Sequence, residues 1–271
     1  MLDRLCYSIK IYRKRRSNMR LVISGILGQM GKALVSIAEE MGEFVVAGVD
    51  TRRTDIGEIP VYSDVEDLPD NVDCAIDFSS PDGTIKIAEW CKYKNIPLLS
   101  GTTGLSEQII ELLHSTAKTI PVYYSSNMSI AIAALWKFVE VSAKIFDTAD
   151  VEIIELHHRR KADAPSGTAI TFAEKIITAR DGDKSDIIYG RQGHIGQRPN
   201  NQIGIHSIRA GNIVGEHQII FAFPEEEIIF THRARDRKLF ARGAIIVARW
   251  LIRKTRGLYS PEHFIGNKLE V

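Results

Sequence analysis

The densest run of reactive side chains is Glu155-Leu156-His157-His158-Arg159-Arg160-Lys161-Ala162-Asp163-Ala164-Pro165-Ser166-Gly167-Thr168-Ala169. It begins at the end of an apolar, strand-like stretch, Val151–Leu156, and its last residues open a helical pattern, Thr168–Thr178. Imidazole exchanges protons near neutral pH, and a lysine beside a cofactor can donate one. Ser166 is placed to cap the helix. The free N–H groups of a helix start beside Lys161 and the histidines make a receptor for carboxylate or phosphate. Two adjacent histidines also occur as a plain polar strand end. Here the cluster runs straight into a helix start, which favours chemistry.

A second group of residues could hold a nucleotide. Gly25-Ile26-Leu27-Gly28-Gln29-Met30-Gly31 follows a short apolar strand and opens a helix. Its glycines permit a tight turn, close approach of backbone to a pyrophosphate, and a helix start that binds anions. Asp50 closes the next strand about 20 residues beyond, where a ribose-binding acid is expected. Its carboxylate suits the free ribose hydroxyl of NAD, whereas Arg52 and Arg53 could accommodate the 2′-phosphate of NADP. The choice stays open. Gly101-Thr102-Thr103-Gly104 and Ser125-Ser126-Asn127-Met128 follow two later strands. Their small and hydroxyl-bearing residues suit either a cofactor ring or ordinary turns and caps.

The elements that must position these groups alternate in the first half. Strands are expected at Leu21–Ser24, Phe44–Val49, Cys74–Phe78, Pro97–Ser100 and Pro121–Tyr124. Helices are expected at Gln29–Met41, Gly83–Tyr93 and Ser106–Lys118. That alternation implies βαβ units and a parallel sheet covered on both faces, with ligands at the carboxyl ends of the strands. After a long helix, Ser129–Phe146, the pattern changes. Val151–Leu156, Ile203–Ile208, Gln218–Phe223 and Ile228–His232 read as strands of a mixed or antiparallel sheet, and 181–202 as long loops. Such a sheet has a face to be covered by a helix or another subunit. The last helix, Leu239–Lys254, could return to the first half.

Hydrophobic residues make up 44% of the 271 and charged residues 25%, the balance of a folded globular chain. A net charge of +1 gives no electrostatic footprint for nucleic acid. Cys6, Cys74 and Cys91 are too few and scattered for a disulfide framework or a zinc site, so no metal is expected and a reducing, cytoplasmic setting is. No apolar run approaches the ~20 residues needed to span a bilayer. Residues 1–19 stand apart, with basic side chains at Arg4, Lys10, Arg13, Lys14, Arg15 and Arg16 against Asp3. A targeting peptide, a nucleic-acid or lipid-binding tail, and a plain reading, either a disordered extension or an upstream start codon with the working start at Met19, compete. The strand pattern right after Met19 favours the last.

Taken together, GILGQMG, GTTG, SSNM, ELHHRRKADAPSGTA and the later run Arg209-Ala210-Gly211-Asn212-Ile213-Val214-Gly215-Glu216-His217 resemble the dihydrodipicolinate (4-hydroxy-tetrahydrodipicolinate) reductases of the diaminopimelate route to lysine. The resemblance spans Arg20 to the carboxyl end, and the segment with HHxxK and DAPSGT is its most specific part. It implies an α/β fold with an N-terminal Rossmann domain for NADH or NADPH, residues 20–128 and 239–271. A C-terminal α/β domain with a mixed or antiparallel sheet, residues 129–238, would serve substrate binding and homotetramer formation. It implies reduction of a cyclic unsaturated dicarboxylate formed from pyruvate and aspartate semialdehyde.

By position, the resemblance makes His157 the proton donor/acceptor and Lys161 the proton donor. His158, Gly167 and Thr168 become substrate-binding residues. Gly25, Ile26, Leu27, Gly28, Gln29, Met30, Asp50, Gly101, Thr102, Thr103, Ser125, Ser126, Asn127 and Met128 become cofactor-binding ones, joined by Arg237 and Phe240. Thr51 and Gln29 stand where many members carry Arg, and the extension lies outside the pattern. A homoserine or aspartate dehydrogenase would share the first half but would not need DAPSGT after HHxxK. A regulatory protein that senses NAD(P) could lose the acid–base groups, yet His157 and Lys161 are both present.

Overall fold

The computed structural model describes residues 18–269. The basic extension, and with it the expectation of disorder, lies outside them except for its last two positions. Met19, assigned to the extension from sequence, is only 3% exposed and packs into the core.

The first half builds β1 (Arg20–Ser24), α1 (Gln29–Glu40), β2 (Phe44–Val49), β3 (Val61–Tyr62), β4 (Cys74–Asp77), α2 (Pro81–Lys94), β5 (Leu98–Ser100), α3 (Glu107–Ala117) and β6 (Pro121–Tyr124). Leu21, Val22 and Ile23 of β1 are wholly buried, because helices cover both faces of the sheet; hence the run is continuously apolar rather than alternating. In α1 the spacing of Leu34, Ile37 and Ala38 places them on one buried face. Ser80 caps α2 by accepting from the Gly83 N–H, with Pro81 at the first helical position, and Asn95 ends it in the left-handed region.

There follow α4 (Ile130–Ile145), β7 (Asp150–His157), α5 (Gly167–Ala179), β8 (Ile187–Tyr189), β9 (Ile203–Arg209), β10 (Gly215–Ala222), β11 (Glu227–Ala234), α6 (Lys238–Leu251), β12 (Gly257–Tyr259) and α7 (Pro261–Leu269). Two sheets result. The first runs β12-β6-β5-β4-β1-β2-β3, with parallel pairing throughout. Its order reverses direction at β1, and the crevice outside the carboxyl ends of β1 and β4 is where such sheets take a dinucleotide. The second runs β11-β10-β7-β9-β8 and is mixed: β7, β8 and β9 are parallel, while β10 is antiparallel to β7 and β11.

β3, β8 and β12 escape sequence reading because two or three residues carry no period. β8 lies within the stretch expected to be loops, and β12 extends the first sheet beyond β6. The helix α6 does return to the first sheet. Arg242 reaches Glu40 of α1 at 2.6 Å, and Arg249 pairs with Glu43 and donates to Met41 O. One apolar core is continuous from Leu21 and Ile23 through Trp136 of α4 and Phe172 of α5 to Val151, Ile219 and Phe221 of the second sheet. The far face of that sheet carries Arg191 and Arg198 of the 190–202 loop on Glu152, and it exposes Ile208 and Ile229. No helix among the described residues is long and apolar enough to cross a membrane.

Candidate functional site

The glycine turn has the shape that its residues require. Gly25 has φ +78°, and a β-carbon on it would lie 2.4 Å from the Phe78 carbonyl oxygen. A β-carbon on Gly31 would lie 2.3 Å from the Gly25 carbonyl. Only hydrogen fits at either place, so the backbone can close over an anion at the start of α1. Ile26 is wholly buried, and its side chain belongs to the core rather than to a ligand. Leu27 N–H donates to Asp50 Oδ2 at 3.1 Å, which ties the turn to the end of β2. A cavity of about 440 Å³ opens here, lined by Gly25, Gly28, Asp50, Thr51, Ser79 and Lys86 among others. Arg52 and Arg53 are exposed and do not line it; the cation on its wall is Lys86 of α2.

The floor of this crevice rests on a residue that sequence reading missed. Asp77, at the end of β4, is completely buried. It accepts from the hydroxyls of Ser79 (2.5 Å), Thr84 (2.7 Å), Ser100 (2.8 Å) and Thr102 (2.9 Å). The Ser79 N–H adds a fifth bond at 3.2 Å. Buried charge is tolerable only when hydrogen-bonded, and here four hydroxyl dipoles do that work. They also join the loops after β4 and β5, which carry Gly101, Thr102 and Thr103.

A second cavity, of about 700 Å³, lies between the two sheets. The first half contributes Met30, Gly101, Thr102, Thr103, Ser126, Asn127 and Met128. The second half contributes His157, Lys161, Gly167 and Thr168, and the start of α6 adds Arg237 and Phe240. Asn127 Nδ2 donates to Thr168 Oγ1 at 3.0 Å across the gap. Ser125 does not line the cavity; its hydroxyl donates to Asn127 O at 2.7 Å and shapes the loop. Arg237 bridges as well, donating to Gln29 Oε1 at 2.5 Å and lying 3.2 Å from His158 Nε2. His158 thus stands behind the cavity lining. Desolvation and the Arg237 cation hold its pKa below the usual imidazole range.

The second half's wall is built from β7 and α5. Ser166 caps α5, accepting from Ala169 N–H at 3.3 Å, as its position in sequence predicts. Gly167 and Thr168 therefore present a helix start to the cavity. Lys161 Nζ sits on both Asp163 oxygens, at 2.8 and 2.7 Å, and its bond lowers the Asp163 pKa. Beneath them Glu155, fully buried, meets His157 Nδ1 at 2.5 Å, Arg209 at 2.7 and 2.9 Å, and Ser166 N–H at 3.2 Å. Burial acts to raise the Glu155 carboxyl, but the bonds from His157 and Arg209 outweigh it and hold it at about 2. His217 lies beyond, with Nε2 at 3.0 Å from Ser166 Oγ and its ring edge-on to His157 at 5.3 Å. Burial, then the nearness of His157, push it down to about 3.

The arrangement brings together a glycine-turn crevice, a capped helix start, an imidazole and a lysine, all on the walls of two adjoining cavities. That combination suits hydride transfer to an anionic substrate, with a proton from the protein.

Comparison with known proteins agrees with this arrangement. Residues 19–128 match the family model described as dihydrodipicolinate reductase, N-terminus, and residues 131–265 match dihydrodipicolinate reductase, C-terminus. The 4-hydroxy-tetrahydrodipicolinate reductase of Caldanaerobacter subterraneus subsp. tengcongensis is 41% identical over 248 residues, covering 91% of this chain and 98% of its own. That of Lawsonia intracellularis is 38% identical over 250 residues, covering 89% and 96%. Among solved structures, dipicolinate-bound dihydrodipicolinate reductase from Paenisporosarcina sp. TG-14 superposes with a TM-score of 0.74 at 25% identity, covering 92% of this chain and all of that one.

Proposed function

This chain belongs to the dihydrodipicolinate reductase family, and from that premise we propose how its own residues perform the family's reaction. The activity is the NAD(P)H-dependent reduction carried out by 4-hydroxy-tetrahydrodipicolinate reductases, in the diaminopimelate route to lysine. The substrate is a cyclic dicarboxylate, and the cofactor supplies hydride when bound.

The residues at the crevice fit a dinucleotide. The cradle at Gly25 and Gly31 would be filled by a β-carbon, and the start of α1 offers unpaired N–H groups to a pyrophosphate. Gly28, Gln29 and Met30 continue that start. Asp50 would take the ribose, and Thr102, Asn127 and Phe240, which line the second cavity, would hold the nicotinamide end. Asp50 makes NADH at least as good a donor as NADPH, since a carboxylate accepts from a 2′-hydroxyl and repels a 2′-phosphate. Lys86 softens that repulsion, so NADPH still serves.

The substrate lies between the helix start of α5 and the loop 158–163. Its carboxylates take the N–H groups of Gly167 and Thr168, the Thr168 hydroxyl and the Lys161 ammonium, which leaves Asp163 to do so. Arg237 brings His158 to the same edge. His157 and Lys161 handle the proton at the carbon next to the one reduced. The observation that carries this assignment is the shared cavity, in which His157, Lys161 and Gly167 face Thr102, Asn127 and Met128. On this reading residues 20–128 and 239–271 form the cofactor domain and residues 129–238 the substrate domain. The part of the second sheet's outer face that exposes Ile208 and Ile229 suits burial against further copies of the chain in a homotetramer.

The test is a coupled assay in which the upstream condensation of pyruvate with aspartate semialdehyde supplies the substrate. NADH and NADPH are each expected to be oxidised only when both precursors are present. Oxidation driven by homoserine or aspartate in their place would refute the assignment.

A further inference from the structure

Glu155 joins three parts of the proton-handling wall: His157, the cap of α5 and Arg209. It stands two residues before His157 on β7, so both side chains project from the same face of the strand. Its Oε2 lies 2.5 Å from His157 Nδ1. Its Oε1 receives the Ser166 N–H at 3.2 Å, at the cap of the helix whose start faces the substrate. Arg209 adds two further bonds, and its Nη2 also donates to the Asp163 carbonyl at 2.7 Å, which pins the loop that carries Lys161.

These contacts have one consistent protonation pattern. A carboxylate bonded to a bidentate guanidinium and a backbone N–H is an acceptor at both oxygens, so it has no proton to give. The nitrogen of His157 that faces it must be the donor. Nδ1 therefore carries the proton in the neutral ring, and Nε2 is the nitrogen that remains for the cavity His157 lines. Gly215 of β10 flanks that nitrogen, where a β-carbon would come within 3.1 Å of it. The neighbouring His217 does not compete for charge, because its burial keeps it neutral.

Resting on the reading of His157 as the acid–base group, we propose that Glu155 is a positioning residue for the reaction. It fixes the orientation and tautomer of His157, turns Nε2 toward the substrate, and locks that ring to the helix start and the Lys161 loop as one rigid unit. Glu155 exchanges no proton itself. Its charge stabilises the imidazolium each time Nε2 takes one up, while Arg209 keeps the carboxylate ionised.

The direct test needs no substitution. Long-range ¹⁵N–¹H correlation spectra of the ¹⁵N-histidine-labelled enzyme, with His157 assigned by the signal lost in His157→Ala, read which nitrogen is protonated in the neutral ring. The Nδ1–H tautomer is expected. Finding Nε2–H would overturn the proposal and leave the acid–base reading of His157 standing.

Kinetics supply the second arm. Glu155→Gln should lower kcat by about 10²-fold or more, within the ~10²–10⁴-fold usual for acid–base groups, with the NADH Kd unchanged. Glu155→Asp keeps the charge one methylene short and should recover part of the loss. In Glu155→Gln/His157→Ala the loss should fall well short of the product of the two single losses, since most of the Glu155 effect runs through that ring. Multiplying losses, or a Glu155→Gln enzyme with full kcat, would overturn the proposal. A His157→Ala enzyme with full kcat would instead remove the acid–base reading on which it rests.

Discussion

Two fully buried carboxylates organise the two walls of the site, and they are held in opposite ways. Asp77, under the nucleotide crevice, accepts from four hydroxyls and one N–H, all neutral. Glu155, under the proton-handling wall, accepts from a guanidinium, an imidazole and one N–H. The difference follows from what each wall has to do. A cofactor wall needs shape, and a ring of hydroxyls fixes loop geometry without a buried cation. A catalytic wall needs a defined proton inventory. A carboxylate held by Arg209 stays ionised and keeps its neighbouring imidazole in one tautomer.

The comparison can be broken by substitution. Glu155→Gln removes the charge that Arg209 and His157 answer. Its cost should fall at the low end of the roughly 3–5 kcal/mol typical of breaking a buried ion pair, because Arg209 keeps about a fifth of its side chain in water. Asp77→Asn leaves its hydroxyl neighbours free to rotate and donate or accept, so it should cost only about 1 kcal/mol, the worth of one imperfect hydrogen bond. Urea unfolding of both variants decides the matter. Equal losses would mean that the two clamps do not differ in kind.

Within the cofactor wall, Asp50→Ala should move the kcat/KM ratio toward NADPH by about tenfold, the equivalent of a charge-assisted hydrogen bond of roughly 1.5 kcal/mol. Lys86→Ala should move it a few-fold the other way, a smaller effect because a solvent-facing cation is screened. Arg52 and Arg53 are exposed and away from the cavity lining, so their replacement should leave the ratio alone. An unmoved ratio in Asp50→Ala would remove it from the ribose site.

Acid should separate the halves more gently. Glu152 and Glu155 of β7 are both held at about 2 against an ordinary 4.5. Burial raises each, but Arg191, His206 and Arg198 outweigh it for the first, and His157 and Arg209 for the second. A depressed carboxylate contributes stability that is complete above its unfolded value and is lost as pH falls through the folded one. Hydrogen-exchange protection in β7 and β9 should therefore hold down to pH about 4.5 and decline from there toward 2. Glu152→Gln should flatten that decline. Constant protection across the interval would contradict these pairings.

Much of this was legible in the chain. The glycine turn, the switch from alternating strand and helix to consecutive strands, and the capped helix after HHRRKADAP each follow from local periodicity and turn chemistry. The residues that were not legible act through partners distant in sequence. Asp77 meets Ser100 and Thr102 only because β4 and β5 pair, and Arg209 meets Glu155 only because β9 lies beside β7. Lys86 projects from a helix that sequence alone does not aim at the crevice. Glu155 is the instructive omission. Its signal was present, since residues two apart on a strand share a face, and an acid so placed beside His157 is a ready ring partner.

The claim at the centre is that His157 and Lys161 move protons on a substrate held between the walls, rather than helping to bind the nucleotide. Rapid-mixing measurement of kcat beside fluorescence titration of NADH, for His157→Ala and Lys161→Ala, tests it directly. Each variant should lose about 10²–10⁴-fold in kcat with its NADH Kd unchanged. Full kcat in either, or a loss confined to NADH binding, would contradict it.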